Sequence, residues 1–76
     1  MKELLLYIAR SLVDHPDQVT VTEVENGDEL TLELRVAPED MGKVIGKQGR
    51  IAKAIRTVVK AAGIHEDKKI IVEIVQ

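Results

Sequence analysis

The sequence predicts an α+β fold of order αββααβ, a three-stranded mixed sheet with helices packed on one face, and three observations carry that reading. Two segments, Lys2 to Asp14 and Arg50 to Ala62, repeat apolar residues at helical spacing, whereas Glu29 to Val36 and Lys69 to Gln76 place them at every second position. Asn26-Gly27-Asp28 joins the first two strands by a turn too short for a crossover, so these strands pair antiparallel. Two helices precede the last strand, which requires a parallel, right-handed crossover onto the second.

The first helix follows from Leu5, Ile8, Ala9 and Leu12, which share one buried face, and His15-Pro16-Asp17 stops it. Gln18 to Glu25 is rich in Val and Thr and forms strand one, with Val19 and Val21 on one face. Val24 falls out of phase there and is expected to mark a bulge or twist. In strand two, Leu30, Leu32, Leu34 and Val36 face inward and Thr31, Glu33 and Arg35 outward. Pro38 starts a short helix with Glu39 and Asp40 at its positive dipole end, and Gly46 terminates it. The third helix is closed by Gly63, Ile64 to Lys68 form a surface loop, and Ile70, Val72 and Ile74 face inward from the last strand.

A chain of 76 residues is expected to make one domain, residues 1–76. A domain this small buries only roughly 60% of its unfolded surface, so a partner or a second copy is expected to support it. Cysteine is absent, which removes disulfides, thiolate metal sites and thiol catalysis. The apolar run Leu4 to Ala9 is broken by Arg10 and Asp14, so neither a signal peptide nor a membrane span is expected, and the cytoplasm is the expected compartment. The formal charge of -2 argues against a polyanion ligand until its distribution is seen. Met41 to His65 contains no Asp or Glu but holds Lys43, Lys47, Arg50, Lys53, Arg56 and Lys60. The rest of the chain therefore carries a net charge of -8, and one basic surface stands on an acidic body.

That basic surface coincides with Gly46-Lys47-Gln48-Gly49, two glycines spaced by two polar residues between helices. Such a turn lets the backbone approach a bulky anion that side chains would otherwise hold off. It also leads into a helix N-terminus, whose dipole and unpaired N–H groups favour phosphate. On a helical wheel of ~100° per residue from Arg50, residues Lys53, Arg56, Thr57 and Lys60 fall between about 240° and 340°. Ile51, Ile55, Val58, Val59 and Ala62 fall between about 80° and 180°, an apolar arc wide for one core-facing stripe. A surplus part of that arc, near Val58 or Ala62, is a candidate dimer surface.

Val44-Ile45-Gly46-Lys47-Gln48-Gly49-Arg50-Ile51-Ala52-Lys53-Ala54-Ile55 resembles the signature of the KH domain, aliphatic-Ile-Gly-x-x-Gly followed by five residues and Ile. The order αββααβ is that of the bacterial, type II arrangement, and a KH protein of this length resembles the KhpA family of small bacterial RNA-binding proteins. The resemblance covers the whole chain. It implies a groove for about four nucleotides of single-stranded RNA, with phosphates at Gly46, Lys47, Gln48 and Gly49 and bases over an aliphatic floor. Val44, Ile45, Ile51 and Ile55 are expected along that floor, Lys43, Arg50 and Lys53 beside the phosphates, and the backbone around Ile71, Val72 and Glu73 on the facing wall. It further implies an RNA chaperone or post-transcriptional regulator, acting as a homodimer or with a larger KH-containing partner, KhpB, in cell elongation, cell shape and envelope or cell-wall biogenesis. The lack of Phe and Trp fits this mode better than an RRM, which stacks bases on aromatic rings.

Two other readings compete. Arg50, Lys53, Arg56 and Thr57 on one helix would suit a DNA-reading helix-turn-helix, against which the three strands argue. A pure interaction subunit would use the apolar arc and leave RNA untouched. A P-loop is excluded because Gly42 and Gly46 are too close and Gln48 follows Lys47, and a dinucleotide fingerprint would need glycine at Val44. His15 and His65 lack metal-ligand companions and read as turn or loop residues, and Ser11 has no adjacent base. No enzyme activity, cofactor, metal, membrane or small-molecule substrate is expected.

Overall fold

The computed structural model describes residues 1–64 and 67–75. Its elements are α1 (Lys2–Leu12), β1 (Thr20–Asn26), β2 (Glu29–Arg35), α2 (Met41–Ile45), α3 (Arg50–Ala62) and β3 (Lys69–Ile74), with short 3₁₀ turns at Pro16–Gln18, Pro38–Asp40 and Lys47–Gly49. The order αββααβ therefore stands. His65 and Gln76 lie outside the described residues.

The sheet order is β1-β2-β3. β1 and β2 pair antiparallel from Thr20↔Arg35 to Asn26↔Glu29, while β2 and β3 pair parallel from Glu29↔Lys69 to Leu34↔Ile74. Because Asn26 faces Glu29, the hairpin loop is only Gly27-Asp28, and Gly27 at φ +62° supplies the positive angle a two-residue hairpin needs.

The expected bulge at Val24 is absent. Pairing runs one to one through it, and Val24 sits opposite Thr31 on the open face, 41% exposed. Its phase is explained by its neighbours: Glu23 and Glu25 occupy the same side of β1 as Val21 yet are exposed, so the helices do not cover the hairpin end. Alternation there changes from apolar-in to charged without any change of register. Lys68 pairs with Glu25 at this uncovered end.

One core joins the layers. Leu5 and Ala9 of α1 and Val44, Ile55 and Val59 of α2 and α3 close over Val19, Val21, Leu32, Leu34, Ile70 and Val72. Ile8 and Leu12, expected on the same buried face of α1, are less covered, and Leu12 is 38% exposed. Gly63 ends α3 at φ -93°, with its N–H donating to the carbonyls of Val59 and Lys60. No left-handed residue is used there; what glycine provides is room, since a Cβ would lie 3.1 Å from Ile70.

Candidate nucleic-acid interface

The turn between α2 and α3 departs from ordinary backbone at three of its four residues. Gly46 has φ +75°, Gln48 +58° and Gly49 +73°. The Gly46 N–H donates to the Gly42 carbonyl at 2.9 Å, ending α2, and the Gly49 N–H donates to the Gly46 carbonyl at 3.2 Å. A Cβ on Gly46 would stand 2.6 Å from Cγ1 of Ile51, so the first glycine is required by close packing as well as by φ. Gly49 faces open space, and its requirement comes from φ alone. Gln48 adopts a left-handed conformation that costs an L-residue about 1–2 kcal/mol. Its Oε1 accepts a hydrogen bond from Nη2 of Arg50 at 3.2 Å.

No side chain caps the N-terminus of α3, and no acidic residue occupies its first turn. The positive end of the dipole thus faces the turn without compensation. Lys47, Gln48 and Arg50 are exposed around it, Lys53 is exposed one turn further on, and among the described residues none of these three cations is in an ion pair. The site gathers backbone room, a helix terminus and mobile positive charge, which is what an oxyanion needs.

Lys43 sits in the last turn of α2, just before Gly46. Its Nζ is 3.0 Å from Oδ2 of Asp14 and 3.6 Å from Oδ1 of Asp40, so its charge is engaged in an ion-pair cluster, unlike that of Lys47. Asp40 is fully buried, and instead of serving the dipole of its own helix it accepts the N–H groups of Asp14 at 3.2 Å and His15 at 3.0 Å. This carboxylate fastens the chain leaving α1 to the start of α2, which positions the glycine turn. Burial pushes its pKa up, but the two backbone donors and the nearby His15 and Lys43 outweigh that and hold it below the ordinary 3.8. The hydrogen bond and charge of Asp14 raise Lys43 above 10.5, against desolvation and with help from Asp40. Stabilisation by Asp40 is therefore complete above 3.8 and lost as pH falls through its lower folded value, while that by Lys43 is complete below 10.5 and lost as pH rises through its higher one.

The aliphatic positions divide. Val44 and Ile55 are core residues, buried against the sheet, and Val44 presents no floor to a ligand. Ile45 and Ile51 are half-buried. Ile51 and Ile55 also line, with Ile8, Leu12, Ala54, Val58 and the cation Arg50, an apolar groove of about 400 Å³ between α1 and α3; Lys53, Arg56 and Lys60 of the basic arc are outside its lining. Val58 is 49% exposed in it, while Ala62 is exposed but outside its lining. The wide apolar arc of α3 signalled this groove; the contribution of α1 was hidden because Ile8 and Leu12 read as plain core.

The expected wall of β3 also needs correction. The N–H groups of Lys69 and Val75 donate to the carbonyls of Asp28 and Leu34, so odd-numbered residues of β3 direct their backbone groups at β2. Ile71 and Glu73 are thereby used within the sheet, and the side chain of Ile71 lies on the open face, away from the helices. Only Ile70, Val72 and Ile74 direct backbone groups to the free edge. Val72 has a core side chain, and its carbonyl accepts a hydrogen bond from Nε of Arg56 at 3.2 Å.

Among the described residues no group of three or more His, Asp or Glu is placed to hold a metal ion, and no helix is long and apolar enough to cross a membrane. A family model described as KhpA/KhpB, KH domain, matches residues 2–74. RNA-binding protein KhpA of Clostridium perfringens is 68% identical over 75 residues, covering 99% of this chain and 100% of its own. That of Listeria monocytogenes serovar 1/2a is 58% identical over 76 residues, with both chains covered in full, and that of Aquifex aeolicus is 46% identical, with 96% of its own length covered. No solved structure matches. The family model spans every residue of the sheet and of the glycine turn, and the chain belongs to the KhpA/KhpB family of KH domains.

Proposed function

We propose that this chain is a single KH domain that grips the backbone of single-stranded RNA at Gly46-Lys47-Gln48-Gly49, with Arg50 and Lys53 as further phosphate contacts. The observation that carries the reading is the turn itself: positive φ at three of four successive residues beside uncompensated cations and an uncapped helix terminus, in a chain otherwise acidic. Relatives sharing this sequence over their whole length are named RNA-binding proteins, which supports RNA as the polyanion. Ile45, half-buried and outside the lining of the groove between α1 and α3, is the aliphatic position left accessible enough to meet a base.

Binding to RNA and to duplex DNA at matched salt tests this reading against a helix-turn-helix. The single strand is preferred, and three phosphate contacts give a slope of log K against log salt of about -2. Preference for the duplex removes the RNA reading.

A grip on about four nucleotides is weak alone, and linking two sites raises apparent affinity without new contacts. The apolar groove lined by Ile8, Leu12, Ile51, Ala54, Ile55 and Val58, together with Arg50, is the surface for a second copy or a KhpB-like partner, and Lys47, Gln48 and Lys53 are outside its lining. The family description covers the KH domains of both KhpA and KhpB, which makes a second KH domain of the same family the partner to test. The role that the family resemblance implies is RNA chaperoning or post-transcriptional regulation in the cytoplasm, in the setting of cell elongation and envelope homeostasis. Sedimentation checks the assembly: the chain associates and Val58→Glu is a monomer with unchanged fold. A monomeric wild-type chain that also ignores a KhpB-like KH domain removes this part of the proposal.

A further inference from the structure

Arg56 does something the basic arc alone did not suggest. β3 is an edge strand, and the central carbonyl on its free side, that of Val72, accepts Nε of Arg56 at 3.2 Å. The bond uses the inner N–H of the guanidinium and leaves the four N–H groups of its two terminal nitrogens. Among the described residues no carboxylate pairs with them. Arg56 stands two turns beyond Gly49, about 10 Å along α3, which is within the stretch of about four nucleotides that a GxxG groove holds.

Pinning Nε fixes the plane of the guanidinium before any ligand arrives. A lysine ammonium carries the same charge but has no plane to fix. A planar fork of donors matches an edge with two neighbouring acceptors. Guanine offers O6 and N7, and cytosine offers O2 and N3; adenine sets an amino donor beside N7, and uracil separates its two carbonyls by an N–H. Backbone reading of bases by β3 is limited for the same reason, because the Val72 carbonyl is already occupied and the groups of Ile71 and Glu73 face β2.

We propose that Arg56 is the base-reading residue of this surface, selecting at one position a base with two adjacent acceptors, guanine or cytosine, over adenine and uracil. The proposal rests on the RNA reading above. It is tested with oligouridines of about six nucleotides in which one central residue is U, A, C or G, titrated against the full chain. Wild type binds the G or the C variant about ten-fold more tightly than the A and U variants, and which of the two wins identifies the edge that is read. Arg56→Lys keeps the charge but loses the preference, its affinities for the four strands falling within about two-fold of one another, with thermal stability recorded to show that the fold is kept. A purely structural role of Arg56 would lower stability and leave the preference unchanged. Should that variant fail to fold, replacing the preferred G by 7-deazaguanine, or the preferred C by 3-deazacytosine, abolishes the preference in wild type. Equal affinity of wild type for all four strands, or a preference surviving in Arg56→Lys or on the deaza base, overturns the assignment of Arg56 alone. Absence of binding to every strand overturns the RNA reading itself, and this proposal with it.

Discussion

At Asn26 to Glu29 the chain reverses in a two-residue loop, with Gly27 alone at positive φ and Glu25, Asp28 and Glu29 around it. At Gly46 to Gly49 three of four residues hold positive φ, one of them the non-glycine Gln48, and the flanking charges are Lys47, Arg50 and Lys53. The first turn has only the conformational freedom that strand pairing requires. The second carries strain beyond what joining two helices needs, and such strain persists where a surrounding structure holds it for a purpose. Glycine at positive φ is therefore common to both turns and diagnostic of neither. What separates them is the coincidence of that backbone with packing against Ile51, a helix terminus and unpaired cations.

Substitutions sharpen the contrast. The largest effect on stability is expected for Gly46→Ala, where positive φ and a Cβ 2.6 Å from Ile51 act together. A loss of about 2–4 kcal/mol is expected, seen as a fall in Tm of about 10 °C or more. A Tm within about 2 °C of wild type would mean that the turn adapts freely and is not held by Ile51. Smaller and more discriminating are Gly27→Ala and Gly49→Ala, both of which add a methyl group in open space at positive φ. Each costs about 1 kcal/mol of stability by denaturant titration. Only Gly49→Ala also weakens RNA, by about ten-fold, because its methyl group stands where a phosphate approaches. Equal RNA affinity in the two variants would make the turns functionally alike.

The fold was legible because its signals are local. Arg50 to Ala62 begins and ends where the apolar period and the flanking glycines place it, and the short hairpin loop fixed the antiparallel pair. Val24 is out of phase because alternation reports what covers each face and not register, and the helices stop short of Glu23 and Glu25. The glycine turn was legible for the same local reason. Its surroundings were not: pairing of Lys43 depends on Asp14, 29 residues earlier, and burial of Asp40 depends on the chain after α1. The direction of backbone groups in β3 is set by which partner hydrogen bond comes first, a property of the pair that the residues of one strand do not encode. Arg56 looked like Lys53 on a helical wheel, and only the neighbouring strand distinguishes them.

The central claim is that Lys47 and Gln48 sit against RNA phosphate, and the double substitution Lys47→Asp with Gln48→Asp tests it most directly. Both residues are exposed and neither belongs to the core, so the variant is expected to fold with the wild-type spectrum. Losing two charge-assisted contacts and setting two carboxylates against the backbone weakens single-stranded RNA by about 100-fold or more. A folded double variant that binds RNA as wild type does would contradict the clamp and leave the apolar groove between α1 and α3 as the working surface of the molecule.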